Sequence, residues 1–194
     1  MKKIIMMAVA ALFILGSSAV AVTTYNYSTR GLNSMNHDYA YTWGMATQWS
    51  ASETVVGATL TFHDLYDWTY ETDMLFVNLL DNASIGVSAV YDNQTPIQNY
   101  FTTGTYIGSY FDPLGGYANR TDVSFVFDAT GLAALQSYAL DGNFGIGVDP
   151  DCHYYACNTT FDVQTTSDAI PEPATAILMG LGLLGSGIIA RRKK

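Results

Sequence analysis

The sequence predicts an all-β body, an antiparallel β-sandwich of jelly-roll-like form with one short helix, between an N-terminal signal peptide and a C-terminal transmembrane helix. Three observations predict it. Short apolar or alternating runs recur between turn signals, the pattern of many short strands. The chain carries 14 Tyr and 17 Gly with abundant Thr, Asn and Asp, types that suit strands and turns and argue against a helical bundle. Uncharged apolar runs sit at both termini, where they read as targeting segments.

Taken in order, Lys2 and Lys3 precede the apolar run 4–15, and the small-x-small triplet Ala19-Val20-Ala21 follows. Residues 1–21 are therefore expected to be a signal peptide, cut by signal peptidase between Ala21 and Val22. Residues 22–166 form the body, long enough for one domain with a real core. Its first strand candidates lie around 26–29 and 39–49, with no register legible. Between Val55 and Phe62 the alternation places Val56, Ala58, Leu60 and Phe62 on one face, as in a half-buried strand. The runs 74–80 and 85–91 end at Asp81-Asn82 and Asp92-Asn93 and read as a hairpin or as neighbouring strands. Strands follow at 105–111, 121–127 (with Val123, Phe125 and Phe127 aligned), 144–148 and 159–164. Leu132, Leu135 and Leu140 have helical spacing with Ala133, Ala134 and Tyr138, and Asp141-Gly142 ends that segment. Residues 167–170 are a tether.

Pro171-Glu172-Pro173 then opens the last segment, 171–194, which continues through the uncharged span 174–190 to Arg191-Arg192-Lys193-Lys194. As a helix the span rises about 25 Å, the short end of what crosses a bilayer. The basic stop fixes its end in the cytoplasm, and the two prolines keep the motif extended. A plain anchor needs the span and the stop but has no use for Pro-Glu-Pro. The three parts in this order resemble the PEP-CTERM sorting signal of Gram-negative bacteria, which an exosortase in the inner membrane recognises and cuts. The resemblance implies an exosortase as partner, membrane association through the C-terminal helix before processing, and export to periplasm, cell surface or extracellular matrix. It also implies an association with exopolysaccharide or biofilm. Within the body, LTFHDLYDWTYETDMLFVNLLDN and DGNFGIGVDPDCHYYACNTTFDV resemble segments of exported PEP-CTERM proteins of β-rich character. That likeness supports fold and destination and adds no catalytic residue.

Between the signals the only cations are Arg30 and Arg120, against sixteen Asp and Glu, a formal charge of −14. A body this acidic is repelled by nucleic acid and by anionic lipid. Cations, neutral glycans and basic proteins remain as partners. Cys152 and Cys157 are expected to pair as a disulfide outside the cytoplasm, contributing about 2 kcal/mol for so small a loop, with two free thiols as the alternative.

Two acidic clusters offer oxygen ligands for Ca²⁺: Asp64, Asp67, Glu71 and Asp73, and, better placed, Asp149 and Asp151 on either side of Pro150. Neither has the spacing of an EF-hand, and Asp capping a turn in solvent explains any one of these residues more simply. Trp68, Tyr66 and Tyr70 are the best candidates for stacking on a sugar, with Trp43, Trp49, Tyr154 and Tyr155 as further aromatics, although Trp and Tyr equally fill sandwich cores. No Gly-x-Ser-x-Gly and no His-Glu-x-x-His occurs, and His37, His63 and His153 are isolated along the chain, so no catalytic residue is nominated. The expected function is a non-enzymatic, exported surface or matrix protein. A carbohydrate-binding module is the first alternative and a secreted glycan-active enzyme the second.

Overall fold

Eleven strands and one α-helix make up the described part of the chain in the computed structural model, which covers residues 21–70, 73–92 and 98–167. The expected signal peptide up to Val20, with Ala19, and the tail, with Pro171, Glu172, Pro173 and the expected span 174–190, lie outside the described residues. Among the described residues no helix is long and apolar enough to cross a membrane.

Two antiparallel sheets form a sandwich. In the first, β1 (Val22–Thr29) pairs with β11 (Asn158–Ser167), β11 with β4 (Glu53–Asp67), and β4 on its other edge with β8 (Thr121–Val126). The short strands β2 (Ser34–Met35) and β10 (Tyr154–Tyr155) extend this sheet beyond β1 and β11, with β10 on the last two residues of β4. The second sheet runs β6 (Gly86–Tyr91), β3 (Tyr39–Ala46), β9 (Asn143–Pro150), β5 (Leu75–Leu80), β7 (Thr105–Tyr110). The first strands lie beside the last, and the chain changes sheet at β2–β3, β3–β4, β4–β5, β7–β8, β8–β9 and β9–β10. With β6 as an added edge strand, this is the eight-stranded double sheet of a jelly roll.

The facing surfaces hold the core. Leu60, Phe62, Leu65 and Phe161 of one sheet meet Leu75, Val77, Phe144, Ile146 and Val148 of the other, all of them fully buried, each side chain contributing about 1.5–3 kcal/mol by its removal from water. Trp43 and Trp49, considered above as platform aromatics, are buried in this core, as is Tyr154. β9 is buried along both faces because the 98–104 segment covers it from outside, where Phe101 packs on Gly147.

The helix α1 (Ala129–Tyr138) begins at Asp128, whose Oδ1 accepts the Gly131 N–H at 2.8 Å, a side-chain N-cap. Leu135 is its buried anchor. Leu140 does not continue the apolar face as its spacing suggested. The chain tightens into a 3₁₀ turn over 139–141, stops at the left-handed Gly142, and leaves Leu140 exposed.

Two expectations for the strands need correction, both for local physical reasons. Val56 faces out and Val55 faces in, because the β4–β11 register shifts between Gln164 and Thr165 and skips Val56. An extra residue in a strand reverses its alternation. The runs 74–80 and 85–91 are neither a hairpin nor neighbours, since β3 and β9 lie between β5 and β6. The connecting chain crosses the ends of those two strands, and both carry glycine where it passes. A Cβ on Gly145 would meet the Ala83 side chain at 2.5 Å, and one on Gly44 would collide with the Ser84 carbonyl.

Candidate functional site at the crossover end of the sandwich

Four sheet-to-sheet connections turn at one end of the sandwich: 36–38, 68–74, 111–120 and 151–153. Trp68, Tyr66, Tyr70, Asp149 and Asp151 all gather there.

A bulge in β4 decides which way the aromatics point. Phe62 and Leu65 both face the core, with a register shift against β8 between them, and Asp64 takes a left-handed φ of 52°. Aspartate tolerates this region better than most side chains. Its N–H donates to Asp122 Oδ1 at 2.9 Å, and its carboxylate meets Arg120 Nε at 3.4 Å. The inserted residue sends Tyr66 and Trp68 outward and Asp67 inward.

On the outer surface Tyr66 lies opposite Tyr155 and stacks with it, ring centroids 5.3 Å apart and planes at 22°. Tyr117 packs edge-on against Tyr66 at 5.5 Å and carries the Arg120 guanidinium 4.2 Å above its ring, a cation–π contact. One step along the strands, the Trp68 N–H donates to the His153 carbonyl at 3.1 Å and the two rings lie 5.8 Å apart. Trp68 is 60% exposed and Tyr70, against Phe111, 62%. The cross-strand pair Tyr66/Tyr155 and, just beyond the strand ends, the pair Trp68/His153 thus place aromatic rings along this end of the sheet.

Asp67 and Asp112 lie inside this end of the sandwich, whereas Asp149 faces the 98–104 segment on the outer side of β9. Asp112 is buried and well satisfied, accepting the N–H groups of Asp67, Leu114 and Gly115. Asp149 is buried and accepts the Tyr100 N–H at 2.6 Å. Loss of water pushes its carboxyl up to about 7, the Asp92 and Asp151 charges adding to the rise and the Tyr100 N–H opposing it. Burial pushes Asp151 up to about 6, helped by Asp73 and Asp92, and its Oδ2 is buried without a hydrogen-bond partner among the described residues. The two aspartates singled out in the sequence thus share their surroundings with Asp92, and Asp151 also with Asp73.

The Cys152–Cys157 disulfide is not formed. Cys152 is buried, its Sγ and the carboxylates of Asp67 and Asp73 lying within 4.8 Å of one another. Cys157 is exposed, its N–H donating to the His63 carbonyl at 2.8 Å. The turn through β10 leaves one thiol facing inward and the other facing solvent.

The three histidines, isolated in sequence, all find partners in space. His37 Nδ1 lies 3.2 Å from His153 Nδ1. His63 accepts or donates at both nitrogens, with Nδ1 3.1 Å from Asp122 Oδ2 and Nε2 3.0 Å from Thr160 Oγ1. This carboxylate–imidazole–hydroxyl chain across β8, β4 and β11 has the connectivity of a nucleophilic relay. Thr160, however, sits mid-sheet between Ser28 and Thr61, so the nearby backbone donors are committed to ladders rather than to an oxyanion. Neither the hollow lined by Trp49, Gln136 and Leu140 nor the one lined by Val56, Asp162 and Gln164 includes it. No sequence signal could have found these pairs, since they join residues 59 to 116 positions apart.

No curated protein matches the chain. Residues 169–194 match the PEP-CTERM protein-sorting motif, which supports exosortase-type sorting and export to the cell surface or the extracellular space.

Proposed function

We propose that this is a non-enzymatic surface or matrix protein of a Gram-negative cell whose β-sandwich holds a neutral glycan against the aromatic face at the crossover end. The observation that carries the reading is the exposed Trp68, Tyr70 and Tyr117 beside the partly exposed Tyr66, Tyr155 and His153. Flat rings on fixed strands lose little entropy when they stack on the apolar face of a sugar, and phenol and carboxylate groups at the rim accept its hydroxyls. The −14 body favours a neutral over an anionic polysaccharide. An exosortase-sorted destination puts such a surface where exopolysaccharide is found, which supports a role in biofilm or matrix.

The test is a glycan array probed with the full-length protein, alongside an assay for released reducing ends. Retention of neutral polysaccharides without new reducing ends supports the reading. Release of reducing ends selects the glycan-active enzyme instead, and no retention at all leaves a purely structural matrix role.

A further inference from the structure

We propose that His37 and His153 form a two-imidazole site for a late first-row divalent ion such as Cu²⁺ or Zn²⁺. The site does not depend on the glycan reading.

The two Nδ1 atoms lie 3.2 Å apart and the rings meet at 78°, centroids 4.6 Å apart. With metal–nitrogen bonds of about 2.0–2.1 Å, that separation gives a nitrogen–metal–nitrogen angle of about 100°. This lies between the square and tetrahedral values, so the separation admits both Cu²⁺ and Zn²⁺ once the two rings turn toward a shared ion. His37 Nε2 faces Asp38 Oδ1 at 3.3 Å. A carboxylate there holds the ring N–H on Nε2, leaves the lone pair on Nδ1 and makes it a better ligand, the usual outer partner of a metal-bound histidine. In the metal-free protein one proton lies between the two Nδ1 atoms. The ion takes its place, and by exchange with solvent His153 carries its ring N–H on Nε2 instead, so both imidazoles stay neutral and no net proton is released.

Both rings are carried on pinned backbone. The Asp38 N–H donates to Asn36 Oδ1 at 3.1 Å, the Tyr39 N–H to the Asn36 carbonyl at 3.0 Å, and the Asn36 N–H to the Tyr41 hydroxyl at 2.8 Å. His153 is fixed through its carbonyl to the Trp68 N–H. Little ordering therefore remains to be done on binding. His37 is exposed and His153 partly so, which leaves the other coordination positions open to water. Imidazole nitrogen selects late transition ions over Ca²⁺ and Mg²⁺, with Cu²⁺ the tightest binder.

The experiment is calorimetric titration of untagged full-length protein with Cu²⁺ and with Zn²⁺, paired with electron paramagnetic resonance of the Cu²⁺ form. One equivalent should bind, with two-nitrogen hyperfine structure and quenching of Trp68, whose ring is 5.8 Å from His153. His37→Gln and His153→Gln should each weaken binding at least about tenfold and remove one nitrogen from the spectrum. His63→Gln should change neither. Wild-type affinity and spectrum in the His37→Gln/His153→Gln double variant would overturn the proposal, as would the absence of any binding by wild type at about 100 µM ion.

Discussion

Tyr66 and Tyr155 stack across neighbouring strands with their planes 22° apart, and they meet only because Asp64, two residues before Tyr66, adds a bulge to β4. Without that insertion the alternation set by Leu60 and Phe62 would carry Tyr66 into the core and Asp67 into solvent. The surface chemistry of the crossover end therefore rests on one backbone irregularity.

The bulge can be tested by its tolerance for side chains. Asp64→Val places a β-branched residue at φ 52° and should cost about 2 kcal/mol. Asp64→Gly keeps the conformation and loses chiefly a surface ion pair with Arg120, worth under about 1 kcal/mol. Denaturant midpoints for the two variants should separate clearly. Equal midpoints would mean that the left-handed conformation is not what the position demands.

Gly44 offers a second backbone test. A methyl group there collides with the Ser84 carbonyl where the 81–85 connection crosses β3. Gly44→Ala should destabilise by about 1–3 kcal/mol through forced displacement of that connection, a fall of several degrees in Tm. An unchanged Tm would show that the crossing is looser than the packing indicates.

Stability should peak in mild acid. Asp149 is raised to about 7 and Asp151 to about 6, so the folded state holds their protons more tightly than the unfolded chain does. Their ionisation destabilises the fold as pH climbs from about 4 to about 7. Glu53 runs the other way. Hydrogen bonds, first from the Thr165 hydroxyl and then from the Ser50 N–H, lower it to about 2, and its contribution is lost as pH falls from about 4.5 to about 2. Asp122, lowered by the Asp64 N–H and His63, adds to the acid limb. Thermal melts from pH 2.5 to 8 should show a maximum near pH 4–5, and Asp149→Asn should flatten the neutral side. Calcium should raise Tm at pH 8 and not at pH 4.5, since only ionised carboxylates ligate it. A magnesium effect of equal size would indicate charge screening instead.

The fold class was legible because composition and alternation carry it. Phe125, Phe127, Phe144, Ile146 and Phe161 fall on the core side as their spacing implies. The tail was legible because sorting signals are linear. Bulges were not, since Val56 and Asp64 look like ordinary strand residues until the register of β11 and β8 is known. Nor was the pairing of β6 with β3, which depends on a long crossing eased by Gly44 and Gly145. At the site, Trp68, Tyr66 and Tyr70 stood out as aromatics in a polar turn. Their partners Tyr155, His153 and Tyr117 come from other strands and loops, and proximity in space leaves no mark in a single sequence.

Sorting by cleavage makes a simple prediction about mass. The mature protein isolated from its own cells should begin at Val22 and end upstream of Arg191. Intact-mass spectrometry that finds Arg191-Arg192-Lys193-Lys194 still attached would show anchoring without cleavage.

The proposed glycan site is the face around Trp68. The most direct measurement is pull-down by the neutral exopolysaccharide of the producing cells, comparing wild type with Trp68→Ala and with the buried-core control Leu135→Val. A stacked aromatic contributes about 0.5–1.5 kcal/mol beyond its area, and the lost burial adds to this, so Trp68→Ala should weaken retention about tenfold while Leu135→Val leaves it unchanged. Equal retention of wild type and Trp68→Ala, or no retention of wild type, would contradict the account.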